Sequence, residues 1–226
     1  MLKIKAIMFD LDNTLIDFLH MKQSACKSAV HAMVLAGLRL KENEACTRLM
    51  DTYFSVGIES DLAFTEFLRK ENQFDYKILA AAINAYLEAK NNSLIPYPNV
   101  LPTLKQLEEK NLFLAIVTDA PKTKAYQRLL GMKIDHFFRF VVGYEDTNSF
   151  KVTGLPFLLA LDLLKKEVRD IKNGEILMVG DSLERDIIPA KKLGLKTALS
   201  RYGENKTQIG TADFELKTFK DILNIL

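Results

Sequence analysis

The chain is short of cysteine, of net charge and of long apolar runs, and each shortage removes a class of protein. Only two cysteines occur, Cys26 and Cys46, in helix-like surroundings and outside any CxxC motif. A disulfide framework is therefore not indicated, and free thiols of a reducing compartment are expected. The formal net charge is +2 over 226 residues, so no overall basic field points to nucleic acid or to a membrane surface. No apolar stretch approaches the roughly 20 residues that a membrane-spanning helix needs. The greasy opening of the chain is broken by Asp10 and Asp12, which is not how a signal peptide reads. Internal repeats and low-complexity tracts are also missing. What is present is ordinary: 48% hydrophobic and 27% charged residues, enough to bury one large core or two modest ones. A soluble cytoplasmic protein without nucleic-acid or membrane partners is expected, with its oligomeric state left open.

Strand and helix signals alternate through much of the chain. Short apolar runs at 4–9, "LFLAIVTD" (112–119) and "EILMVGD" (175–181) read as buried strands, with weaker candidates at 139–142, 196–199 and 213–216. Between them lie helix signals. "LPTLKQLEEKN" carries Leu101, Leu104 and Leu107 at helical spacing, and "LPFLLALDLLKKEV" is apolar enough for a well-buried helix. Further helices are expected at 122–130 with Gly131 as a stop, at 184–193 with Gly194 likewise, and at 218–225. This alternation predicts an α/β fold with a doubly wound parallel sheet. Residues 18–90 break the rhythm and read as successive amphipathic helices near 18–36, 42–57, 61–71 and 75–90. The loop "NNSLIPYPNV" (91–100) marks the return. The expected organisation is an α/β core of 1–17 and 95–226 with an inserted all-helical domain of 18–94.

Three of the apolar runs end in polar residues of one kind. They give Asp10-Leu11-Asp12-Asn13-Thr14, then Thr118-Asp119, then Gly180-Asp181-Ser182 with Asp186 beyond. In a parallel sheet all strands point one way, and ligands bind outside their carboxyl ends where the strand order reverses. Asp10, Asp12 and Asp181 would then converge, and they could not all ionise together without a cation. Oxygen ligands of this kind suit Mg²⁺, which takes one or two carboxylates and completes its shell with water and substrate phosphate.

At this point the chain resembles a known family. "DLDNT", "VTD", Lys151 and "GDSLERD", in that order over residues 5 to about 200, are similar to the four motifs of the haloacid dehalogenase-like hydrolases, most of which are Mg²⁺-dependent phosphatases. The insert matches that family's C1-type helical cap in place and content. The resemblance implies a role for each matching residue. Asp10 would be the nucleophile that forms an aspartyl-phosphate, and Asp12 the general acid and then base. Thr118 and Lys151 would bind and balance the phosphoryl group. Asp181 would hold Mg²⁺ with Asp10 and the backbone carbonyl of Asp12, and Asp186 would support that shell. One stretch departs from the pattern. Many relatives carry proline after the third-motif lysine, whereas this chain reads "FKVTGLPF", so a looser loop is expected around Lys151.

Blander readings exist for each residue taken alone. A strand-end aspartate is usually a turn residue or helix cap; Asp186 could cap its helix, Thr118 could be an ordinary β-branched strand residue, and Lys151 a solvated loop lysine. Asp119 is expected to support the site with its backbone amide toward phosphate while its side chain caps the helix beginning near Pro121, and Asn13 to serve the turn. His20 and His31 fit a surface, and Phe64, Phe67 and Leu68 fit the helical domain's own core. The expected activity is hydrolysis of a small phosphorylated metabolite. A phosphomutase or a 2-haloacid dehalogenase of the same family is the alternative, and a phospho-accepting signalling domain is the rival from another class. A dehalogenase would leave Asp12 and the acidic fourth motif idle. A receiver domain, at roughly 120 residues, has no place for the helical insert.

Overall fold

The computed structural model of the chain describes residues 4–203 and 210–226. It divides into two compact units, one formed by Met1–Asp17 with Ile95–Leu226 and the other by Phe18–Leu94. Among the described residues, the first unit carries six strands: β1 (Ala6–Phe9), β2 (Phe113–Val117), β3 (Val141–Val142), β4 (Ile176–Gly180), β5 (Lys196–Ser200) and β6 (Phe214–Leu216). They form one parallel sheet in the order β3-β2-β1-β4-β5-β6. Every residue of β1 and β4 is buried, which is why both read as continuous apolar runs: helices cover both faces of a parallel sheet. β1 lies between β2 and β4, with Phe9 opposite Ile116 on one side and Val179 on the other. The chain builds outward from β1 in one direction, then returns to build in the other. The switch point therefore falls at the carboxyl ends of β1, β2 and β4.

The second unit is α1 (Phe18–Ala36), α2 (Glu42–Val56), α3 (Ala63–Lys70) and α4 (Tyr76–Asn92). Its core gathers Val30, Met33, Leu49, Tyr53, Phe64, Phe67, Leu68 and Ile78, with the α3 aromatics at the expected i, i+3, i+4 spacing. Asp75 caps α4 by accepting from the amides of Lys77 (2.7 Å) and Ile78 (3.2 Å). A buried lysine interrupts this apolar interior. Lys22 donates to the Tyr86 hydroxyl at 2.8 Å and sits 3.5 Å from the centre of the Tyr53 ring, partners that offset the loss of water around its ammonium. His31 pairs with Glu42 at the surface, His20 is exposed, and both cysteines are free.

The core helices are α5 (Val100–Glu109), α6 (Lys122–Gly131), α7 (Tyr144–Thr147), α8 (Leu155–Glu167) and α9 (Ile188–Lys192). Three expectations need correction. The buried stripe of α5 is Val100, Leu104 and Leu107, spaced i, i+4, i+7; Leu101 falls one residue off that face and is exposed. In α8 the buried face is Pro156, Phe157, Ala160, Leu161 and Leu164, while Leu155 and Leu158 are about half exposed, so this helix is one-sided rather than enclosed. The segment 218–225 is not α-helical but a 3₁₀ run, Phe219–Asn224, in which the buried Phe219 and Ile222 stand three residues apart and so share one face.

Helix endings divide the same way. Gly194 adopts φ +78° after α9, as expected. Gly131 is the last residue of α6 and does not turn the chain. Lys133 takes the left-handed position instead, at φ +58°. The amides of Lys133 and Ile134 reach back to Leu130 and Leu129 at 3.0 Å each, the paired bonds of a Schellman ending. A side chain there carries a steric cost that glycine avoids. Lys133→Gly should therefore stabilise the protein by about 1 kcal/mol, read as a higher urea midpoint at unchanged m-value.

Candidate active site

Asp10 follows β1 directly, and its amide donates to the Val179 carbonyl at 2.9 Å, so the strand ladder still holds its backbone. The chain then turns sharply. Asn13 adopts φ +59°, a left-handed conformation that asparagine tolerates, and its amide donates to the Ile16 carbonyl at 2.7 Å. The returning chain braces this loop, as the Tyr97 amide donates to the Leu15 carbonyl at 2.8 Å. The Tyr202 hydroxyl donates to the Thr14 carbonyl at 2.9 Å. Thr14 in turn donates its hydroxyl to Asp10 Oδ2 at 3.2 Å.

Lys151 is no solvated lysine: it is 1% exposed. Its ammonium pairs with Asp10 Oδ1 and, at 2.6 Å, with Asp186 Oδ1. Burial works against its charge, but Asp10, Asp186 and Asp119 outweigh that and raise its pKa. The loop is held without the missing proline. Asp119 Oδ1 accepts the Lys151 amide at 2.6 Å, and the Thr153 hydroxyl donates to the Phe150 carbonyl at 2.8 Å. The expected role of Asp119 is thereby corrected. Pro121 stands at the N-cap of α6 with no side-chain hydrogen bond, and Asp119 reaches across to fix the lysine loop. Thr118 is buried at the end of β2, and its Oγ1 accepts the Ala120 amide at 3.2 Å.

Beyond β4 the chain makes a π-helical turn, Leu183–Ile187, before α9. Ser182 Oγ accepts the Arg185 amide at 3.3 Å while Asp186 Oδ2 accepts the Ser182 amide at 3.0 Å. Asp186 thus caps the turn with one oxygen and faces Lys151 with the other. Gly180 makes this possible, because a Cβ there would overlap the Asp186 carboxyl group.

One oxygen from each of Asp10, Asp181 and Asp186 lies within 4.8 Å of the others, and all three residues are buried. Burial first, and then the neighbouring carboxylates, push the pKa of Asp181 up. Asp186 is also raised by burial, although Lys151 opposes the shift. Such a donor set, all hard carboxylate oxygens and too crowded to ionise comfortably, fits a divalent cation such as Mg²⁺. Asp12 stands apart from this cluster. Its carboxylate meets Arg128, whose Nη1 donates to Oδ2 at 3.2 Å; burial raises its pKa, against the pull of that arginine.

Comparison with known proteins identifies the family. The haloacid dehalogenase-like hydrolase family matches residues 7–200. The chain belongs to that family. A glyceraldehyde 3-phosphate phosphatase of Methanopyrus kandleri is 32% identical, over 99% of this chain and 97% of its own. A phosphoglycolate phosphatase of Aquifex aeolicus is 27% identical, over 99% and 97% respectively. The crystal structure of a HAD phosphatase from Thermococcus onnurineus shares the fold, with a TM-score of 0.66 at 24% identity and coverage of 98% and 97%. The protein is thus a haloacid dehalogenase-like hydrolase, and these relatives are phosphatases.

Reading the sequence located Asp10, Asp12, Thr118, Asp119, Lys151, Asp181 and Asp186 at this end of the sheet. It missed Arg128, which is completely buried in α6, and Tyr202. Both are single polar residues on segments rich in others, and nothing in local spacing sets them apart. Gly180→Ala tests the close approach behind the cluster: the forced shift of Asp186 should cost about 1–3 kcal/mol of stability and most of the hydrolase activity. Wild-type turnover in a folded Gly180→Ala protein would contradict it.

Proposed function

We propose that this hydrolase is a Mg²⁺-dependent phosphomonoesterase for small phosphorylated metabolites, working through an aspartyl-phosphate on Asp10. The observation that carries this reading is the Asp10 carboxylate at the switch point, flanked by Lys151, Thr14 and the Asp181–Asp186 pair. Asp10, the Asp12 backbone carbonyl and Asp181 would hold the metal, with Asp186 beside them. When bound, Mg²⁺ supplies positive charge to the crowded carboxylates and to the phosphoryl oxygens.

The chain's own residues divide the remaining work. An Asp10 oxygen attacks phosphorus, and the bond from phosphorus to the ester oxygen breaks. Asp12 gives its proton to that departing oxygen. Asp12 then takes a proton from water, whose oxygen attacks phosphorus and returns Asp10 as a carboxylate. Because Thr118 Oγ1 accepts from the Ala120 amide, its O–H is left to donate to a phosphoryl oxygen. Lys151 balances charge on Asp10 and on the phosphoryl group. The helical unit Phe18–Leu94 leaves the chain just after the Asp12 loop and returns at Ile95, a placement that supports a C1-type cap closing over small substrates. The names of the relatives put glyceraldehyde 3-phosphate and phosphoglycolate first on a substrate panel. Dehalogenation remains the weaker reading, since it has no use for a proton-donating Asp12.

Asp10→Asn should abolish phosphate release while the protein stays folded, and mass spectrometry of acid-quenched wild type should find phosphate on Asp10. Wild-type-like turnover by the variant would overturn the mechanism. Mg²⁺ should also raise the melting temperature, because a ligand that binds only the folded state stabilises it. Asp181→Ala should remove that shift and raise the Mg²⁺ concentration needed for activity. Full activity after chelation, with no metal found by elemental analysis, would favour a metal-free chemistry.

A further inference from the structure

We propose that Arg128 is a positioning residue for the acid–base carboxylate, holding Asp12 by Oδ2 so that Oδ1 is the oxygen offered to the leaving group. The proposal rests on the phosphomonoesterase reading and adds a residue to it. The buried face of α6 is Ala125, Arg128 and Leu129, an i, i+3, i+4 stripe in which the helix pattern alone calls for an apolar side chain at 128. A fully buried guanidinium there gives up its hydration and needs a contact with an anion in return. Asp12 supplies one such contact, at 3.2 Å from Nη1 and 116 residues away in sequence.

Asp12 needs such a partner. It lies past the end of β1, beside the left-handed Asn13, so no strand ladder fixes its side chain. Asp10 is oriented separately, by Lys151 and Thr14. Of the two Asp12 oxygens, Oδ2 accepts from Arg128, whereas Oδ1 is buried and has no hydrogen-bond partner among the described residues. A planar guanidinium is pre-organised in a way that a flexible ammonium is not. Through Nη1 it can hold Oδ2 while leaving the second oxygen to carry a proton.

The test compares Arg128→Met, Arg128→Lys, Asp12→Asn and the double variant Asp12→Asn/Arg128→Met in the full chain with Mg²⁺. Single-turnover phosphorylation is followed with propyl phosphate, whose alkoxide must be protonated, and with p-nitrophenyl phosphate, whose phenolate leaves unaided. Arg128→Met should slow the propyl ester at least about tenfold more than the nitrophenyl ester, as Asp12→Asn does. Arg128→Lys should restore part of the difference, and the double variant should show no larger difference than Asp12→Asn alone. Equal losses on both esters would reduce Arg128 to a packing role and overturn the proposal. So would a further selective loss in the double variant. If Asp12→Asn itself showed no ester selectivity, the acid–base reading of Asp12 would be the part that failed. Should Arg128→Met not fold, Arg128→Gln provides the same comparison, since it also removes the charge.

Discussion

Three buried carboxylates, those of Asp10, Asp181 and Asp186, are held within 4.8 Å of one another around the ammonium of Lys151, and the catalytic unit is arranged to keep them there. Unaided, like charges in a low-dielectric interior drive one another apart or take up protons. Lys151 relieves part of this by bridging Asp10 and Asp186. Breaking such a buried pair from one side typically costs about 3–5 kcal/mol, because the remaining charges lose their counter-ion. Crowded hard carboxylate oxygens of this kind are the donor set that suits a divalent cation.

Asp10, Lys151 and Asp186 are each held by neighbouring contacts. The β-ladder holds the Asp10 backbone through Val179, and Thr14 orients its second oxygen. Asp119 grips the Lys151 amide, doing from outside the loop what a proline would do within it. Ser182 and Asp186 lock the π turn after β4, and Gly180 leaves room for the Asp186 carboxyl group. A catalytic constellation of charged groups needs this support, because flexible side chains would otherwise move apart under mutual repulsion. The helical unit has a core of its own, built on Phe64, Phe67, Leu68 and Tyr53.

Much of this was open to reading in one dimension. Parallel strands buried on both faces leave continuous apolar runs, and the six expected strands all occur, with their ends shifted by no more than a residue or two. The α1–α4 helices likewise keep their expected places, because amphipathic periodicity survives translation into structure. Errors fell where a local rule met a competing one. Gly131 is a strong stop signal, yet the α6 ending forms two residues later, where the backbone bonds from Lys133 and Ile134 close properly. Leu101 belongs to the α5 leucine pattern but points away from the face that Val100 shares with Leu104 and Leu107. Neither register is decided by composition; the packing of each helix in the folded chain decides it.

The sequence by itself determined the family, the order of elements and the carboxylates that end the strands, since strand-end motifs have fixed types and fixed order along the chain. Only the tertiary structure decided how those groups pair. Asp119 was read as a supporting residue that caps a helix, and it braces Lys151 instead of the helix; Asp186 was read as a cap or a support for a metal shell, and it caps the turn and pairs with Lys151. Arg128 carried no local signal at all, because its meaning lies in Asp12, 116 residues away. Ion pairs and close approaches of this kind depend on distances through space, and spacing along a chain reports such distances only within a single helix or strand.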